Sequence, residues 1–250
     1  MYFMPIQCEM RLFSVVNLME NGPKSQLTDY LRRAILTLEL RPGQDLDEQQ
    51  LSTDFNLSRT PLREVFRDLA GLGYLELRAG RGARVADMSY TTLRDFFLIA
   101  PMIYRAVLRL ATLNATVDQI ADLKRAQGDF KNALRLGHAA ERALANNRFH
   151  EITGEMAGNV YLMPSFQRLL IDHARIAMTF YQPQNNGMAS NLTQASDQHD
   201  EIIIAIENRD AERAEDLADD HWSLSRDEIE RFVMPTGLAL PLGTLSTHSA

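Results

Sequence analysis

Cysteine is nearly missing from this sequence, with Cys8 the single one in 250 residues. One thiol closes no intramolecular disulfide and builds no cysteine-based zinc site, which fits a chain kept in a reducing cytoplasm. Positive charge is also in deficit. Lys and Arg number 26 against 33 Asp and Glu, a formal net charge of −7, so the chain is not a generally basic one. Long apolar runs are absent too: no stretch approaches the roughly 18 consecutive apolar residues of a membrane span, and no membrane partner is expected. The opening "MYFMPIQCEMRLFSVVNLMENG" lacks a basic leader and carries Glu9 and Arg11 early, so residues 1–24 read as an N-terminal extension and not as a signal peptide.

What is present suffices for a packed protein: 45% of residues are hydrophobic and 24% charged, which excludes the disordered class. The charge is unevenly spread. Arginines stand at 59, 63, 67, 78, 81 and 84, while the same stretch holds only Glu64, Asp68 and Glu76 as carboxylates. A local basic face is what nucleic acid responds to, whatever the total.

The periodicity divides the chain in two. In "SQLTDYLRRAILTLEL", Leu27, Leu31, Ile35 and Leu38 fall on one helical face, and "RPG" ends the helix. "DEQQLSTDF" is a second short helix. "RTPLREVFRDLAGL" is a third, for which Thr60 followed by Pro61 suggests the N-cap. "YLELR" and "ARVADM", joined by "AGRG", read as a hairpin. Helix, helix, helix, hairpin describes a winged helix-turn-helix over residues 25–88, in which the start of the third helix enters the major groove. Arg59, Arg63 and Arg67 share one face of that helix, and Gly80, Arg81 and Gly82 form the wing loop. Arginine suits this place because its planar fork grips a phosphate or a guanine edge with two hydrogen bonds.

From 91 onward strand signals vanish and six helical segments follow, the pattern of an antiparallel all-α bundle over residues 89–234. Pro101 inside the first of these is expected to kink it. The aperiodic tail, 235–250, reads as loose. Within the bundle His150, His199 and His221 fall in three different helices, with Asn146 one turn before His150. Imidazole is a common ligand for zinc and nickel. Scattered histidines are more often ordinary, however, and spacing alone does not separate the two readings.

The stretch "LRPGQDLDEQQLSTDFNLSRTPLREVFRDLAGLGYLELRAGRGARV" resembles the DNA-binding domain of GntR-family bacterial transcription regulators, and the helical remainder resembles the FCD effector domain of the FadR subfamily. The resemblance implies a mainly α fold and a cytoplasmic homodimer. It also implies a repressor that binds a palindromic double-stranded operator and responds to a small organic acid, a carboxylate by family precedent. By the same resemblance Arg59, Thr60 and Arg63, with Ser58 opening the motif and Arg67 further along, face DNA, and Gly80 and Arg81 form the wing. Gln49 stands where some relatives place an arginine phosphate contact.

The strings "NNRFHEITGEMAGN" and "DQHDEIIIAIENRDAERAEDLADDHW" match the surroundings of the family's metal ligands. This implies a divalent metal, zinc, nickel or similar, held by His150, His199 and His221, with Asn146 in the place of an aspartate. An amide oxygen is a weaker donor than a carboxylate. The first bundle helix, "DFFLIAPMIYRAVLRL", lacks the arginine that usually clamps an acid, which leaves Arg105 and Arg175 as candidates for that task. His138, His173 and His248 match no ligand position and read as ordinary polar residues. Two other classes remain open on these residues. One is a metal-dependent enzyme with Glu151 or Asp200 as base. The other is an architectural DNA-binding protein with a ligand-free bundle.

Overall fold

The structure is a computed structural model that describes residues 22–180 and 186–233, with side chains described for 22–178 and 190–224. The expected tail and most of the N-terminal extension lie outside the described residues. Three helices come first: α1 (Pro23–Leu36), α2 (Glu48–Asp54) and α3 (Arg59–Gly71). The hairpin β1 (Leu75–Arg78) and β2 (Gly82–Val85) follows, antiparallel, with Leu75 opposite Val85 and Arg78 opposite Gly82.

Each element has a local reason. Pro23 opens α1, where its missing N–H has no partner to lose. Asp47 caps α2 by accepting from the backbone nitrogens of Gln49 and Gln50, both at 2.9 Å. The start of α3 differs from expectation. Ser58, not Thr60, holds the N-cap position, and the helix begins at Arg59. Pro61 is then the third helical residue, still within the first turn, where backbone N–H groups have no intrahelical acceptor. Leu62, Val65, Phe66 and Leu69 turn inward onto Leu27, Leu31 and Ile35 of α1.

The helical body comprises α4 (Tyr90–Asn114), α5 (Val117–Leu136), α6 (Ala139–Ala157), α7 (Met163–Phe180), α8 (Asn186–Glu207) and α9 (Ala211–Val233). A reciprocal capping box between Thr116 and Gln119 starts α5. Pro101 lies inside α4 without ending it. Among the described residues α4 is the one helix long and apolar enough by composition to cross a membrane. Counting uninterrupted apolar runs missed this because its arginines are spaced along it. Its apolarity serves packing: Phe96, Phe97, Tyr104, Val107, Leu108 and Ala111 are buried, against α6 and α9 among others.

The two parts share a core. Ile171 and Ala174 of α7 pack among Leu27, Leu31, Phe66 and Val85, while Phe166, Leu170 and Ile176 of the same helix face the bundle. Arg175, fully buried, donates to the Ala86 carbonyl (2.7 Å) and the Asp87 carbonyl (3.4 Å) and is paired with Asp172. Arg168 pairs with the same Asp172 at 3.0 Å and lies over Gly73. Gly73 has a φ of +90°, and a Cβ there would collide with the Arg168 side chain. Thus α7 touches the winged domain with one face and the bundle interior with the other.

Candidate metal centre and nucleic-acid interface

Ser58, Arg59, Thr60, Arg63 and Arg67 are all exposed, as are Gly80 and Arg81 at the hairpin tip. Gly80 has a φ of +70° with open space where a Cβ would be, so the tip is unobstructed. The arginines divide by partner. Arg84 is 2.6 Å from Glu76 and Arg78 is 3.5 Å from Asp45. Arg63 reaches Glu48 only at 3.5 Å, and Arg59, Arg67 and Arg81 make no ion pair among the described residues. The basic face therefore narrows to 59, 63, 67 and 81. Gln49 is exposed on α2.

In the bundle, α6, α8 and α9 bring His150, His199 and His221 together, each offering one ring nitrogen within 4.8 Å of the others. Phe149 stacks flat on the His199 ring, with centroids 3.8 Å apart at 9°, and fixes its plane. The tautomers follow from the glutamines. Gln127 donates its amide nitrogen to the Ser196 carbonyl (2.8 Å) and to Asp200 (3.1 Å), so its oxygen faces His199 Nδ1 at 3.0 Å. An amide oxygen only accepts, so Nδ1 carries the proton and Nε2 keeps a bare lone pair. Gln198 treats His221 Nδ1 in the same way, at 3.0 Å.

His150 Nε2, His199 Nε2 and the Asn146 oxygen are buried with no hydrogen-bond partner. Buried lone pairs without a donor cost stability unless something electrophilic occupies the space between them. Imidazoles held through Nδ1 by an oxygen are also the usual arrangement around a metal. The donor set therefore fits a divalent transition metal; it is neutral throughout, which suits zinc or nickel better than a hard cation.

The structure corrects the reading of His173 as an ordinary polar residue. His173 lies on α7 with its ring centroid 5.1 Å from that of His150, and its Nδ1 is 2.6 Å from the Tyr104 hydroxyl. No sequence signal pointed there. Gln127 and Gln198 were likewise missed. His138 is exposed at the start of α6, as expected, and His248 lies outside the described residues. Burial, with the neighbouring imidazoles, pushes His150 and His199 well below the ordinary histidine value. Burial pushes His173 down to about 3 and His221 to about 4. All four imidazoles are neutral near neutral pH.

The cavity beside them is lined by Tyr104, Leu108, Ile202, Ala218 and Trp222 together with His150, His173 and His221, and its volume is about 10 Å³. That is room for one ion or one water. Neither candidate acid-binding arginine lines it. Arg105 is held on the outer face by Glu215 (2.7 Å) and Asp219 (2.5 Å), and Arg175 is committed to Ala86, Asp87 and Asp172. The candidate bases are also engaged elsewhere. Glu151 accepts from Asn147 at 2.8 Å, and Asp200 pairs with Lys131 at 2.6 Å.

Two family models match the chain. "Bacterial regulatory proteins, gntR family" matches residues 23–85, and "FCD domain" matches residues 101–224. The HTH-type transcriptional repressor RspR of Escherichia coli K12 is 27% identical over 198 residues, which is 78% of this chain and 84% of that one. A probable D-xylose utilization operon transcriptional repressor of Paenarthrobacter nicotinovorans is 28% identical over 200 residues, 79% and 84% of the two chains. The solved structure of E. coli McbR/YncC superposes with a TM-score of 0.69 at 17% identity, covering 85% of this chain and 97% of that one, a likeness of fold. A DNA-reading head and an effector-binding helical body make a transcription regulator and not an enzyme. On both matched halves, in this order, the chain belongs to the GntR family of bacterial regulatory proteins, among the members that carry an FCD domain.

Proposed function

We propose that this regulator is a cytoplasmic homodimeric repressor that senses a small organic acid beside a divalent metal. The observation that carries the metal reading is the pair of buried, partnerless nitrogens of His150 and His199, with Gln127 pinning the tautomer of His199 and Gln198 that of His221. His150, His199 and His221 would hold the ion, with the Asn146 oxygen one turn away from His150 as a weaker neighbour. A bound divalent ion supplies a positive anchor for a carboxylate oxygen. The chain's residues orient the imidazoles, keep them neutral and exclude bulk water.

Ser58, Arg59, Thr60, Arg63 and Arg67 would face the operator from α3, with Gly80 and Arg81 following from the wing. A second copy would cover the exposed apolar residues Leu98, Ile99, Met102 and Leu113 of α4. The small cavity supports a route of control. An organic acid needs more space than about 10 Å³, so its entry moves a wall. One wall is α7, whose other face is Ile171, Ala174 and Arg175 against the winged domain. The ligand's preference for the expanded arrangement then sets how far operator affinity changes.

Elemental analysis of protein purified without chelator tests the metal: about one ion per chain is expected, and its loss in His199→Ala. Wild-type protein that stays empty after supplementation with zinc, nickel and cobalt would end the metal reading while leaving the DNA reading intact.

A further inference from the structure

Among the described residues no guanidinium or ammonium group lines the bundle cavity, so nothing conventional there recognises a carboxylate. His173 does line it, with Tyr104 behind. The phenol oxygen and His173 Nδ1 are 2.6 Å apart. A phenol hydroxyl is a better hydrogen-bond donor than a neutral imidazole N–H, so Tyr104 donates and Nδ1 accepts. That places the ring proton on Nε2. His199 and His221 are the reverse, since glutamine oxygens accept from their Nδ1–H and leave Nε2 bare. Of these rings His221, with its bare nitrogen, and His173, with its N–H, border the same small space.

We propose that His173, positioned by Tyr104, is the hydrogen-bond donor that recognises the carboxylate of the effector, in the role an arginine would otherwise have. This rests on the reading of the bundle cavity as the effector site. The ligand class is a compact carboxylate, because a small head group asks the least movement of the wall beside His173. His173 stands outside the set of mutually close ligand nitrogens formed by His150, His199 and His221. Its role is therefore toward the anion and not as a metal ligand. Tyr104 acts through it as a positioning residue.

The probe is formate, titrated into cobalt-loaded protein and followed by visible absorption. His173→Ala is expected to keep one cobalt per chain and to weaken formate binding about 10-fold or more, the effect of losing one hydrogen bond to a charged group. Tyr104→Phe should weaken it by a smaller factor at unchanged cobalt content. Equal formate affinity in wild type and His173→Ala overturns the proposal. So does loss of cobalt from His173→Ala to the extent seen in His199→Ala, which would make His173 a ligand. Nitrogen-15 NMR of the metal-free protein reads the tautomer without any ion: a proton on Nε2 of His173 is expected, and a proton on Nδ1 overturns the assignment. If wild-type protein takes up no cobalt, the metal reading fails by itself. Formate must then shift the His173 Nε2–H signal of the metal-free protein for the proposal to stand, and an unmoved signal ends it.

Discussion

Gln127 is held at both ends of its amide, and that is why it can hold a histidine. Gln127→Leu keeps the side-chain volume and removes the oxygen that accepts from His199 Nδ1. The ring is then free to turn or to take the other tautomer. Metal affinity should fall about 10-fold to 100-fold with the fold intact, read by competition with a chromophoric chelator. Gln127→Glu restores an acceptor and should recover most of it. Affinity unchanged by Gln127→Leu would mean that Phe149 stacking alone orients His199. Burial of the same rings gives the metal-free protein a weakness in acid. Unfolded imidazoles take up protons near pH 6.5, roughly the ordinary value, whereas folded His173 and His221 resist to about 3 and about 4. Between these limits the unfolded chain binds more protons, so this stability is present above the unfolded value and is lost as the pH falls through the window. Metal-free protein should therefore melt at a lower temperature near pH 5 than near pH 7, and His221→Phe should flatten that slope. An identical slope in the variant would show that His221 is not a source of it.

At the scale of elements, α7 is the part the sequence concealed. Periodicity is enough for a helix with one buried face, such as α1 or α3, where leucines recur at three and four residues and arginines occupy the rest. On α7 both faces are covered, by different domains. The rule that charge faces water therefore misplaces Arg175, whose carbonyl partners lie 88 and 89 residues away. The histidine triad was legible only through the resemblance, because helices far apart in the chain give no local sign that their rings meet. Gln127, Gln198 and His173 had no such help. Arg175→Met tests the junction. It strands the Ala86 carbonyl and leaves Asp172 with Arg168 alone, and breaking a buried pair from one side costs about 3–5 kcal/mol. Urea unfolding should register that loss. Limited proteolysis should cut more readily between 86 and 90 while each domain keeps its helices. Arg175→Lys should be intermediate, since an ammonium cannot fork to two carbonyls. A stability change below about 1 kcal/mol in Arg175→Met would mean that apolar packing of Ile171 and Ala174 carries the junction alone.

For the whole molecule the decisive contrast is between a net charge of −7 and an exposed face bearing Arg59, Arg63, Arg67 and Arg81. Negative charge elsewhere repels a polyanion, so only that face approaches it, and orientation precedes contact. Phosphate contacts and base contacts separate by salt. Each phosphate contact removed lowers the slope of log affinity against log salt by about 0.9, and in a dimer each substitution removes two. Arg81→Ala and Arg67→Ala, if they lose phosphates, should weaken operator and random duplex alike and reduce the slope by about 1.8. Arg59→Ala and Arg63→Ala, at the end of α3 that enters the groove, should cost about 1–3 kcal/mol on the operator and much less on random DNA, collapsing the preference between them. Fluorescence anisotropy on the two duplexes across a salt series measures both quantities. If all four substitutions weaken both duplexes equally, the arginines supply charge without reading sequence, and operator choice must come from Thr60, Ser58 or the shape of the DNA.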